Sequence, residues 1–281
     1  MTFNTICLLF GTVMSQAART ADFRVVVEKK LKKQGVRFAD VCPVDTDSAA
    51  RRIFSDYGAI FVSDSDDPLP PKCIFDDEAE VAAFQSSLKT ETQNIGGTSV
   101  TLQKSAMDAL SAARDAATKR GLSITPRGGQ TASSRTFGQT LTLWNSRFLP
   151  GLDHWVKLAK ITPKDAEAAR RSSIPEQIKK VLEWEGDGLY FSKDLSKSIL
   201  YSVAAPGASQ HIFMLALDVE QYSDPSVRQI LAAHGWFQTV KSDMPHFTYL
   251  GVKESELPLL GLKKTMVESQ LFWIPNLGPR E

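Results

Sequence analysis

Excess charge of one sign is the first thing this sequence lacks. Its 33 basic and 32 acidic residues leave a net charge of +1. That gives no broad electrostatic footprint for nucleic acid, and no block of basic residues supplies a local one. Long apolar runs are also missing. Beyond the N-terminus no segment is long and apolar enough to read as a membrane span. There is no Gly-x-Ser-x-Gly elbow, which argues against a serine hydrolase. "RGG" at Arg127–Gly129 is too short for a phosphate loop, and no Lys-Ser/Thr follows it. Cysteine is scarce, with Cys7, Cys42 and Cys73 only, and neither spacing nor neighbours suggest a cysteine metal site. Histidine is nearly as scarce, at four. No internal repeat or low-complexity stretch stands out.

What is present is the composition of a folded chain. Of its 281 residues 42% are hydrophobic and 23% charged, enough to bury a core and argue against disorder. The start reads "MTFNTICLLFGTVMSQAART". Ile6–Met14 is a short, mostly apolar stretch with no Lys or Arg before it. Ser15 and Ala17 are small residues spaced like the −3 and −1 positions of a signal-peptidase site, so an export signal is expected over residues 1–17. Its removal would leave Cys42 and Cys73. In an oxidising compartment these can bridge, for roughly 3–4 kcal/mol in the chain-entropy model; two buried thiols are the alternative.

Residues 18–97 read as a small α/β region. "FRVVVEKKLKKQGV" suggests a strand running into a helix, "SAARRIFSDYGAIFV" a helix then a strand, and "PKCIFDDEAEVAAFQSSL" a strand then a helix capped by Asp76 or Asp77. "NIGGTS" at Asn94–Ser99 marks a boundary. Residues 98–281 then form the larger part. "LQKSAMDALSAARDAATKRG" is the clearest helix, with Leu102, Ala106, Ala109, Leu110, Ala113 and Ala117 on one face and Gly121 at its stop. "LSITP" reads as a short strand, "TFGQTLTLWNSRFL" as a helix ending before Pro150, and "IPEQIKKVLEWEG" as a third helix. "HIFMLALDV", "GWFQTV" and "HFTYLGV" read as strands. Helices first and strands later predict an α+β fold, with helices packed on a small, mostly antiparallel sheet.

Four polar residues stand out in the strand-rich half: His211, Asp218, Asp243 and His246. Asp218 ends an apolar run, where an unpartnered carboxylate is costly to bury. Two imidazoles and a carboxylate are the donor set of a catalytic zinc, which keeps one position open for water; a second carboxylate suits a general base. An offset of seven puts His211 and Asp218 on opposite faces of a straight strand. They converge if His211 ends the "APGASQ" loop before the strand begins, or if a bulge intervenes. Pro245 excludes regular helix in "SDMPH", and a turn there would bring Asp243 beside His246.

"SQHIFMLALD" resembles the Ser-x-His-x-x-Gly-x-Ala-x-Asp signature of the zinc D-alanyl-D-alanine carboxypeptidases, which include the VanY-type carboxypeptidases and the vancomycin-resistance D-Ala-D-Ala dipeptidases. Ser209, His211, Ala216 and Asp218 match. "DMPH" places Asp243 three residues before His246, where the family has a Glu and its last zinc-binding His. Upstream, a helix ending in Gly, a short strand and an Arg-bearing loop before a helix also match. The resemblance covers roughly residues 100–250. It implies Zn2+ held by His211, Asp218 and His246, with Asp243 as catalytic base. It implies Arg135 on the substrate carboxylate or oxyanion, Arg127 being its rival, and Ser209 orienting a ligand or the substrate. Met214 replaces the motif's Gly, and Asp243 is one methylene shorter than the family's Glu.

The function implied is hydrolysis of a peptide bond in peptidoglycan stem peptides, most simply the terminal D-Ala-D-Ala bond, by an exported zinc metallopeptidase of the hedgehog-like superfamily. The partner expected is a stem peptide. An endopeptidase with the same site and a zinc-containing, non-catalytic peptidoglycan-binding module are the alternatives. His154 and His234, each shortly before an aromatic, read as structural, as do Trp155, Trp184, Trp236 and Tyr249.

Overall fold

The first helix begins where a strand is expected. A computed structural model describes residues 20–278, so the expected export signal over residues 1–17 lies outside the described residues. Helix α1 (Phe23–Lys33) takes up the whole of "FRVVVEKKLKK". Phe23, Val27 and Leu31 are buried at a spacing of four, a helical period that outweighs the β-branched run between them. Asp22 caps it by accepting from the Val25 N–H at 3.0 Å, and Lys30, Lys32 and Lys33 complement the helix dipole in its last turn. A short α2 (Phe38–Val41) and then α3 (Ser48–Tyr57), capped by Asp47, follow. The strand expected after Gly58 is a 3-10 turn, Gly58–Val62, with all five residues buried. A fully buried apolar run carries no period to separate the two. Nor is Lys72–Phe75 a strand: Cys73 is joined to Cys42 by a disulfide, which pins this segment to the end of α2. Helix α4 (Glu78–Ser86) forms as expected, and of the two candidate caps Asp77 does the work, accepting from Glu80 N–H at 2.9 Å.

"NIGGTS" is the turn of a hairpin. Antiparallel β1 (Thr90–Ile95) and β2 (Thr98–Gln103) flank Gly96 and Gly97, whose φ values of 60° and 82° are those of a type I′ turn. Leu102 belongs to β2, and α5 (Lys104–Thr118) starts directly after it. "LSITP" is extended and runs beside the later sheet, with Pro126 bridged to Val219. Helix α6 (Phe137–Lys157) carries on through Pro150. A proline frees the carbonyl four residues back. Here that carbonyl, Ser146 O, accepts from the Arg147 guanidinium at 3.3 Å. Helices α7 (Pro163–Arg171) and α8 (Ile174–Gly186) complete a helical layer; α8 was expected and α7 was not.

The three-stranded antiparallel sheet has β3 (Ala216–Asp218) and β4 (Trp236–Phe237) on either side of β5 (His246–Tyr249), with α9 (Pro225–Ala233) between β3 and β4 in the chain. A second hairpin, β6 (Leu262–Val267) and β7 (Gln270–Pro275), closes the described chain. The fold is α+β, with helices and small antiparallel sheets. No helix among the described residues is long and apolar enough to cross a membrane.

Two hydrophobic clusters organise it. The first runs from Phe23 to Trp273 and takes in α1, α5, one face of the Gly96–Gly97 hairpin and the three-stranded sheet. The second is built on Trp144, Phe148 and Trp184 of the α6–α8 layer with Phe191 just after it, and reaches Tyr57, Leu200 and Val240. Strands β3 and β5 reach one side of the seam between them, and the loops around Leu200 and Val240 reach the other.

Candidate metal centre

Asp218 and His246 meet because the register makes them direct cross-strand partners, at the ends of β3 and β5. His211 joins them from outside the strand. It lies in a 3-10 turn, Gln210–Phe213, and the chain is redirected at Met214, whose φ of 54° is left-handed. The strand starts only at Ala216, which removes the opposite-face problem posed by a seven-residue offset. Likewise "SDMPH" is a turn: Asp243 N–H donates to Val240 O and His246 N–H to Asp243 O.

The side chains converge on one point. His211 Nε2 is 3.3 Å from Asp218 Oδ1 and 3.1 Å from His246 Nδ1, and His246 Nδ1 is 3.2 Å from the same Oδ1. Three ligands of a tetrahedral ion bonded at about 2.0–2.1 Å stand about 3.3 Å apart, so the triangle has the size such an ion requires. The imidazole planes cross at 84°, and both histidines are buried.

The proton inventory turns one histidine lone pair toward the centre of the trio. Gln210 donates its amide N–H to Tyr57 O at 2.7 Å, so its Oε1 is the atom 2.9 Å from His246 Nε2. That oxygen only accepts, which puts the His246 proton on Nε2 and turns the Nδ1 lone pair toward His211 and Asp218. Thr248 also donates to Gln210 Oε1, and Thr239 is hydrogen-bonded to Thr248. His211 Nδ1 is buried with no hydrogen-bond partner among the described residues, and this holds with or without an ion on Nε2. By the size of their triangle and their donor types, His211, Asp218 and His246 can hold a metal ion.

Charge is arranged to match. Burial pushes the His211 imidazole down to about 4, with the nearby Arg135 charge adding to this and Asp218 opposing it. It is therefore neutral, as a ligand must be, near neutral pH. Burial alone would raise Asp218, but His211 and His246 beside it hold it well below the usual carboxylate range. Its second oxygen, Oδ2, accepts from Arg135 Nη2 at 3.0 Å.

The remaining expected residues fall as follows. Arg135, rather than Arg127, faces the site. Its Nε donates to Thr131 O at 3.0 Å while Nη2 holds Asp218. Arg127 is turned away, paired with Glu220 at 3.0 Å and stacked on Tyr222. Asp243, Ser209, Arg135, His211 and His246 all line one cavity of about 220 Å³. Burial, with Asp218 adding to it, pushes the Asp243 carboxyl above the usual carboxylate range, against the opposing charges of His246, Arg135 and Arg127. Tyr249 does not line this cavity; it packs on Trp236 at a centroid distance of 5.4 Å. His154 lies edge-on to Trp155, and His234 is hydrogen-bonded to Ile230 O.

Sequence reasoning passed over the residues that hold this set in place. Thr248 was within reach of it, being two residues from His246 and so on the same strand face. Gln210 and the N-terminal contributors, Tyr57 O and Gln85, carry no sequence signal. The Gln85 amide donates to both Arg135 O and Ile212 O at 2.9 Å and ties the Arg-bearing loop to the His211 turn. Comparison with protein families, curated proteins and solved structures returns no match to this chain.

Proposed function

We propose that the protein is a zinc-dependent peptidase that hydrolyses a peptide bond in peptidoglycan stem peptides, most simply the terminal D-alanyl-D-alanine bond. The observation that carries this reading is the 3.1–3.3 Å triangle of His211, Asp218 and His246, opening on a cavity that also receives Asp243 and Arg135. Two imidazoles and one carboxylate are a donor set of catalytic zinc, which leaves a coordination position open. When bound, the ion supplies Lewis acidity that acidifies water and polarises a carbonyl.

The chain's own groups supply the rest. Asp243 takes a proton from the attacking water and delivers it to the leaving amine; its raised pKa suits both duties. Arg135 fixes Asp218 through Oδ2, which leaves Oδ1 turned to the histidines. Gln210 fixes the His246 tautomer. The left-handed backbone at Met214 adds support, since the signature's Gly falls at this position and glycine takes that conformation without steric cost. The Cys42–Cys73 disulfide is the chemistry of an oxidising compartment and supports export.

One observation favours a second reading, a zinc-bearing module that binds stem peptides without cutting them. Asp243 is a methylene shorter than the Glu of the signature, and a base displaced by about 1 Å loses on the order of a hundredfold in rate. Release of D-alanine from a stem pentapeptide by the zinc-loaded protein separates the two. The peptidase reading requires release by wild type and its loss in Asp243→Ala with zinc retained. A wild type that holds zinc yet releases neither D-alanine nor a stem-peptide fragment establishes the module.

A further inference from the structure

Arg135 is engaged with Asp218, yet the cavity has a second guanidinium. Arg147 projects from α6 and lines the same 220 Å³ space as His211, His246 and Asp243. Its position is fixed on two sides. Nε donates to Ser202 Oγ at 2.8 Å, and Nη1 donates to Ser146 Oγ at 2.9 Å and Ser146 O at 3.3 Å. Among the described residues Nη2 has no acceptor and no carboxylate pairs with Arg147. At the cavity wall beside it, Tyr201 carries the Lys241 ammonium 5.9 Å from its ring centroid.

A held, unneutralised guanidinium with two free N–H donors is built to receive an anion. Arg147 and both histidines line one cavity of about 220 Å³, which places an anion held by Arg147 close to the bond being cut. The geometry points to Arg147 as the residue that reads the free C-terminal carboxylate of the substrate, which makes the protein an exopeptidase rather than an endopeptidase. This rests on the peptidase reading above and adds to it the substrate class and the residue that selects it. Arg135 then acts through Asp218, and the anion-reading role that the signature would give it falls to Arg147.

The test uses two probes: an acylated peptide ending in D-alanyl-D-alanine with a free carboxylate, and the same peptide as its C-terminal amide. Affinity is measured by calorimetry on the full chain without metal, and kcat/KM on the zinc-loaded chain. Wild type should bind the acid about 10- to 100-fold more tightly than the amide, as expected for one charge-assisted contact. Arg147→Ala should abolish that preference, and Arg147→Lys should restore part of it. Ser202→Ala, which removes only the support of Nε, should narrow it several-fold. Equal binding of acid and amide by wild type, binding of neither, or a preference that survives Arg147→Ala overturns the inference. If Arg147→Ala does not fold, Arg147→Lys and Ser202→Ala decide, since both must narrow the preference. A wild type that prefers the acid but cleaves neither probe overturns the peptidase reading and leaves the assignment of Arg147 standing.

Discussion

The cavity has two walls, and they are built in opposite ways. The wall bearing His211, Asp218 and His246 stands on the sheet and the first hydrophobic cluster. Most polar atoms there are committed, Asp218 to Arg135, His246 to Gln210, and Gln210 to Tyr57 O and Thr248, with His211 Nδ1 the exception. The wall formed by α6 and the loops around Leu200 and Val240 stands on the second cluster. There Arg147 keeps a free donor group, and the Asp243 side chain makes no hydrogen bond among the described residues. On the proposed function, the groups that would hold an ion are fixed in advance, whereas those that would meet a substrate keep free donors and acceptors.

Perturbing each wall should break different properties. The largest effect belongs to the open wall. Asp243→Ala should lower turnover about 10²- to 10⁴-fold, the usual share of a general base, with zinc content unchanged by elemental analysis. Next, replacing Cys42 and Cys73 by Ser should cost about 3–4 kcal/mol in denaturant unfolding, because the bridge closes a 31-residue separation. The disulfide lies in the first cluster, away from the site cavity, so zinc affinity should be unchanged in the folded double variant. Gln210→Ala strikes the committed wall. It should weaken zinc binding about 10- to 100-fold in a competition titration, since the His246 tautomer is no longer fixed.

The smallest effect probes the second cluster alone. Glu185 is buried in α8. Its Oε1 accepts from Ile199 N–H at 2.6 Å, and Oε2 has no partner. Burial pushes its pKa above the ordinary carboxylate value, against opposing hydrogen bonds from Ser198, Ile199 and Phe191. The folded state therefore binds this proton more tightly than the unfolded chain. The resulting stability is full below the unfolded pKa and is lost as pH rises through the folded one. Stability of Glu185→Gln should show a flatter pH dependence than wild type above about pH 4.5.

The two walls also differ in how far the sequence discloses them. The convergence of His211, Asp218 and His246 was legible, because they are scarce polar residues in apolar surroundings at a signature spacing. The convergence of an odd offset was legible only as a pair of options, and the left-handed turn at Met214 decides between them. Arg147 was hidden. It lies on the helical face of "TLWNSRFLP", where a charged residue reads as solvated surface, and only the packing of α6 against the loop of Ser202 brings it to the cavity. The N-terminal strands failed for a related reason. Phe23–Lys33 and Gly58–Val62 hold apolar residues that form either element in isolation, and tertiary burial chose helix and 3-10 turn.

The central claim is that His211, Asp218 and His246 form a zinc site. Zinc titration of the metal-stripped chain, followed by calorimetry for wild type and His211→Ala, tests it most directly. The account predicts one zinc per chain for wild type, and for His211→Ala a loss greater than the roughly 10- to 100-fold expected of the outer partners. A wild type that takes up no zinc, or a His211→Ala variant that binds it equally well, would contradict the account.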